Sequence, residues 1–256
     1  MFTKSLILLG CAAAGLAVAG CASSDRFKAG VPGKEQPMTY QIHRVAQPIT
    51  IDADWEKAAW KAIQPLELTY YMGKKPEHLP RTQAKLGYDD EAIYVIFRVE
   101  DQYVRAVAAN HQDPVCRDSC AEFFFTPGTD VKKGYFNLEM NCGGTMLLHF
   151  QTIPRKGTPL APADIDRIDV RASMPRIVEP ERVGPITWTI EYRFPLDILR
   201  KYMPEAVMPA PGVTWQANFF KCGDKTSRPH WLTWSYVERP KPDFHVPECF
   251  GALEFK

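Results

Sequence analysis

Residues 120–126 read CAEFFFT, and residues 135–141, just past the turn cluster TPGTD, read YFNLEMN. In the first, Ala121, Phe123 and Phe125 alternate with Cys120, Glu122 and Phe124. In the second, Phe136, Leu138 and Met140 alternate with Asn137, Glu139 and Asn141. A period of two puts each set on its own face of a strand, and a short turn between two such runs joins them antiparallel. The alternation recurs outward from this pair. Ala84, Leu86 and Tyr88 share a face in TQAKLGYD, as do Ile93, Val95, Phe97 and Val99 in AIYVIFRVED; ITWTIEYRF and VTWQANFFKC behave alike. The pattern predicts an all-β fold, an antiparallel β-sandwich or barrel. Two short helices interrupt it: DADWEKAAW (52–60), capped by Asp52 or Asp54, and PLDILRKYM (195–203), with Pro195 at its start.

Composition agrees. The 22 prolines suit short strands and many loops, and 45% hydrophobic residues supply a core for one sizeable domain. With a formal net charge of +1 and no block of like charge, the chain lacks the footprint of a nucleic-acid binder. It also lacks a polybasic patch for anionic lipid.

The N-terminus reads differently. Lys4, the apolar run from Leu6 and small residues up to Cys21 make up a secretory signal over residues 1–20. Val18-Ala19-Gly20-Cys21 resembles the lipobox of bacterial lipoproteins, which implies lipidation of Cys21 and attachment of the exported protein to a bacterial membrane, at the outer membrane or cell surface. Residues 21–47 are polar and aperiodic and read as a flexible tether; the β domain then spans 48–256. Export also exposes Cys116, Cys120, Cys142, Cys222 and Cys249 to oxidising conditions, so one or two disulfides with an odd thiol are expected. Zinc is the competing reading of the Cys116/Cys120 pair, although no matching His pair or second close Cys pair follows.

With the apolar sets assigned to the core, the opposite faces carry Glu122, then Asn137, Glu139 and Asn141, then Gln216 and Asn218. A wet face explains this equally well. Amides and carboxylates, however, offer paired donors and acceptors at fixed reach, suited to the vicinal hydroxyls of a sugar, and rings beside them stack on its apolar face. Of Trp231 and Trp234, three apart on one strand, one belongs to the core and the other can edge a pocket.

Several stretches together resemble carbohydrate-binding module family 9: ITIDADWEKAAW, LGYDDEAIYVIFRVED, DSCAEFFFTP with YFNLEMNCGGT, EYRFPLDIL, and the block from WQANFFKCGD to HVPECFGALEF. The resemblance implies a jelly-roll-like β-sandwich related to the DOMON fold that binds saccharides without cleaving them. It implies ligand contacts from Glu122, Asn137 and Asn218, with Phe244 stacking on the sugar and His245 at its edge, both on a loop stiffened by Pro242 and Pro247. Two departures stand out. Where the sugar-binding members place two tryptophans, this chain has Val115 or Cys116 and Phe244. Structural calcium occurs in the family, with Asp52, Asp54, Asp89, Asp90 and Asp101 as candidate ligands here. Two other chemistries stay open. Glu122 and Glu139 could act as a glycosidase pair, and Met140, Met146 and His149 lie near the strands that hold haem in DOMON relatives.

Overall fold

The computed structural model describes Met1, residues 26–29 and residues 38–256, so residues 2–20 of the expected signal segment, and Cys21, lie outside the described residues. In chain order the strands are β1 (Lys28–Ala29), β2 (Thr39–Arg44), β3 (Leu66–Glu67), β4 (Tyr70–Tyr71), β5 (Arg81–Tyr88), β6 (Ala92–Ala106), β7 (Cys120–Thr126), β8 (Tyr135–Asn141), β9 (Met146–Gln151), β10 (Thr158–Pro159), β11 (Asp169–Ala172), β12 (Val178–Pro195), β13 (Thr214–Cys222), β14 (Trp231–Thr233) and β15 (Gly251–Phe255). One layer runs β10-β9-β8-β7-β13-β15 and the other β5-β6-β12-β11. Strand β2, parallel to both β15 and β5, joins them into one curled sheet.

The period-two pattern set the layers as expected. Phe123 stacks on Phe125 and Phe219 at 4.5 and 4.8 Å within the first layer. From the second layer, Phe97 lies 6.1 Å from Phe219 and Phe194 lies 5.8 Å from Phe125. These rings, with Leu138, Met140, Trp215 and Ile190, form the main buried core. Gly251 opens β15 where no side chain fits: a Cβ there would stand 2.5 Å from the Met38 carbonyl oxygen and 2.7 Å from the Trp234 ring.

Several expectations need correction. The tether does not run to residue 47, because Thr39–Arg44 is a strand hydrogen-bonded on both sides, with Ile42 in the core. The first helix is only Ala58–Lys61 (α1), and neither Asp52 nor Asp54 caps it. Ala53 has φ 64°, and the N–H groups of Asp52 and Ala53 both donate to Glu191 Oε2 on β12, at 2.9 and 2.7 Å. The chain is thus turned toward β12 and cannot start a helix until later. Pro195 ends β12 rather than opening the second helix, which runs Asp197–Tyr202.

The five aspartates do not assemble a calcium site. Asp52, Asp54 and Asp89 accept from backbone N–H groups of their own turns, Asp90 pairs with Arg44, and Asp101 is buried beside cations. Met140 and Met146 are paired in the core, and His149 stands on the other face. All five cysteines of the described domain are free thiols.

At one end of the core, β13 buries a charge. Lys221 follows Trp215, Ala217 and Phe219 on the inward face. Its Nζ lies 3.3 Å from Asp101 Oδ2, with both side chains fully buried. It donates to His230 Nε2 at 2.7 Å and to the Cys222 carbonyl at 2.9 Å. Because an ammonium only donates and a carbonyl only accepts, His230 carries its proton on Nδ1, facing the Arg228 carbonyl at 2.9 Å. Burial, then the charge of Lys221, lowers the His230 pKa to about 3. Although burial works against the Asp101 carboxylate, Lys221, the His78 bond and the neighbouring histidines hold it well below the usual range.

Candidate functional site

The polar face of the first layer is not wet. Every residue of β7 and β8 is buried, on both faces. The chain after β14 (residues 234–250) folds over the face. There Phe124, Tyr135 and Phe220 of the strands meet Val237, Val246 and Phe250 of the loop, with Met72, in a second small core. A cleft of about 150 Å³ remains at the edge of this cover.

Its floor is acidic. Glu122 and Glu139 are directly opposed on β7 and β8, which brings their side chains together. Both are buried and both line the cleft. Burial, then the charge of Glu139, pushes the Glu122 carboxyl well above the usual range. Burial also raises Glu139, against the bond from Asn137. Asp224, just beyond β13, lines the cleft too, and burial raises it against a 2.8 Å bond from Trp231 Nε1. A carboxyl in its neutral form donates as well as accepts, so a floor shifted in this direction is suited to hydroxyls, which do both.

Aromatic side chains line the cleft as well: Trp231 and Phe244 on its walls, and Phe124 of β7. Trp231 of β14 is half-buried, whereas Trp234 is buried against Phe219 at 5.6 Å; the pair is divided between cleft and core as its spacing implied. Phe244 lines the cleft with Phe220 behind it, ring centroids 4.2 Å apart and nearly parallel at 13°. His245, also lining, is engaged through Nδ1 with the Tyr135 hydroxyl at 2.7 Å and through its backbone N–H with Asp243 at 3.0 Å. Burial and the charge of Arg155 lower its pKa to about 4. Arg155, from the loop after β9, spans the rim to Asp243 at 2.8 Å.

Of the residues singled out from sequence, Glu122, Phe244 and His245 therefore meet in one cleft. Asn137 and Asn218 do not line it. Asn137 donates to Glu139 at 3.0 Å and accepts from Gln151 at 2.9 Å, so it positions the floor. Asn218 Oδ1 accepts from Phe219 N, Thr233 and Ser235 N, and its Nδ2 donates to the Ser235 carbonyl. It fastens the start of the covering loop and is fully buried outside the cleft. Asp224 and Arg155 were not foreseen: each sits in an aperiodic segment, and only the fold brings them to Glu122.

The sequence profile described as carbohydrate-binding family 9 matches residues 47–255. No curated protein matches the chain. Among solved structures, a Bacteroides uniformis protein proposed to bind carbohydrate is 25% identical. The match covers 86% of this chain and 100% of that one, with a TM-score of 0.76. A family 9 module from Caldicellulosiruptor kristjanssonii, solved with cellotriose, is 15% identical over 86% of this chain and 94% of that one, with a TM-score of 0.59. The same organism's module with glucose is 16% identical over 85% and 96%, with a TM-score of 0.58. At these identities the last two show the shared β-sandwich alone.

Proposed function

The chain belongs to carbohydrate-binding family 9, and from that premise we propose that the cleft under residues 234–250 binds a saccharide. The observation that carries this reading is the pairing of an acidic floor, Glu122, Glu139 and Asp224, with aromatic walls, Trp231 and Phe244. Carboxyls take up ring hydroxyls while the rings cover the apolar C–H face of a pyranose. Trp231, on β14, supplies an indole to a site that lacks the family tryptophan at Val115 or Cys116. His245, held neutral by burial, sits at the rim as a hydrogen-bonding edge. A cleft of about 150 Å³ suits about one pyranose ring more than a long internal stretch of polymer.

Calorimetry with glucose, cellotriose and a panel of other oligosaccharides tests the proposal. The expected result is binding of at least one, weakened at least tenfold, or about 1.4 kcal/mol, by Trp231→Ala and by Phe244→Ala. No binding across a broad panel, or binding untouched by both substitutions, would sink it.

We further propose that the protein is exported and held at a bacterial membrane through a lipid on Cys21. The support is Lys4, the apolar run and the Val18-Ala19-Gly20-Cys21 ending. There the cleft would capture saccharides for breakdown at the cell envelope. Cys21→Ser should move the protein from the membrane fraction to the soluble one; an unchanged distribution would refute the anchor.

A further inference from the structure

We propose that Cys120, Cys222 and Glu122 form a binding site for a thiophilic divalent cation of the zinc type, its open coordination position facing the cleft. Cys120 and Cys222 are directly opposed on β7 and β13, and Glu122 lies two residues along β7 on the same face. One ligating atom of each lies within 4.8 Å of the others, and all three residues are buried. Tetrahedral zinc at its usual bond lengths holds two sulfurs roughly 3.8 Å apart and a sulfur and an oxygen roughly 3.5 Å apart. Here Cys222 Sγ and Glu122 Oε1 are 3.2 Å apart, so small side-chain rotations bring the set into place. Two thiolates and one carboxylate are a donor set that selects zinc over calcium or magnesium.

A second observation points to a cation independently of the sulfurs. Glu122 is 1% exposed, and its Oε2 has no hydrogen-bond partner. A buried carboxylate oxygen left bare is costly and rare. The charged groups acting most on it are Glu139 and Asp224, both acidic, while Arg155 lines the same cleft but is paired with Asp243 at its rim. Strand β13 does carry a buried cation, Lys221, but it lies on the opposite face with Asp101. The Glu122 side of the sheet is thus short of positive charge where three ligands meet. Access is available because Cys222, Glu122 and the neighbouring Cys116 line the cleft. With three protein ligands the fourth position is left for water or a ligand hydroxyl, the arrangement of an open zinc site. The site shares Glu122 and the cleft with the saccharide reading but does not rest on it, and its test contains no saccharide.

Cobalt(II) is the probe, titrated into the reduced full chain and followed by absorption, because thiolate ligation gives a charge-transfer band that surface histidines do not. One equivalent should produce the band, and zinc should abolish it by displacement. Cys120→Ser and Cys222→Ser should each lose the band, and Glu122→Gln, nearly isosteric, should weaken cobalt at least tenfold. Cys142→Ser removes a buried thiol outside the cluster and should leave the band intact; circular dichroism identifies any variant that has not folded. Absence of the band in folded, fully reduced wild type would overturn the proposal. So would a band undiminished in both cysteine variants, or cobalt affinity unchanged in Glu122→Gln. A chain that can only be isolated with Cys120 and Cys222 joined, its mass lower by two hydrogens after reductant has been applied, would also overturn it.

Discussion

Replacing Glu191 with alanine is expected to lower the unfolding free energy by about 3–5 kcal/mol, measured by urea or thermal denaturation. The side chain is fully buried in the last third of β12, where that strand lies between β6 and β11. Its Oε2 takes the N–H groups of Asp52 and Ala53, and its Oε1 takes Trp60 Nε1 at 2.8 Å and pairs with Lys57 at 2.5 Å. Alanine leaves these donors facing a cavity. Lys57 can turn to water, but Trp60 is fully buried, in a small core with Ile49, Ile51, Ile63, Tyr94 and Ile96. Trp60→Phe removes one donor and part of the ring but leaves the other donors their acceptor, so it should cost only about 2 kcal/mol. If the two substitutions cost the same, Glu191 is not the organiser of this segment.

Lys221→Met should be comparably damaging, at about 3–5 kcal/mol, because it leaves Asp101 buried beside His78 and His230 without its ammonium. Methionine matches the volume of the lysine stem, so the loss reports charge and hydrogen bonding rather than packing. The double variant Lys221→Met with Asp101→Asn should recover part of it, with a coupling of about 1–3 kcal/mol in a double-mutant cycle. Strict additivity of the two single changes would mean that the pair does not interact, despite the 3.3 Å separation.

Both residues mark where reading along the chain stops working. Alternation assigned Phe123, Phe125, Leu138, Phe219 and Trp215 to the core because period two is a local property of a strand. Lys221 belongs to the same inward series, yet nothing local shows that Asp101 and His230 wait opposite it. Thr39–Arg44 was hidden for a related reason. Only Ile42 is buried in that strand, and its partners, β5 and β15, are remote in sequence. In the cleft, Glu122 and Phe244 were visible through the family resemblance, and Trp231 through its spacing from Trp234. Asn218 misled, since an amide on a strand face looks the same whether it meets a ligand or the carbonyl of Ser235. The covering loop has no periodicity at all, so whether the polar face was wet or roofed was decided only by the fold.

The seam at β2 has a consequence for biogenesis. Thr39 pairs with Ala252 and Ile42 with Phe255, so the two ends of the domain lie side by side between the layers. A chain made N-terminus first can pair this strand with β5 early but keeps its other edge open until residues 251–255 arrive, so closure of the two layers waits for them. Under the proposed anchor on Cys21, a pull from the membrane would load this parallel seam lengthwise, so its bonds would have to fail together rather than one by one. Stop codons a few residues early would remove the seam's other half and leave both layers open at once.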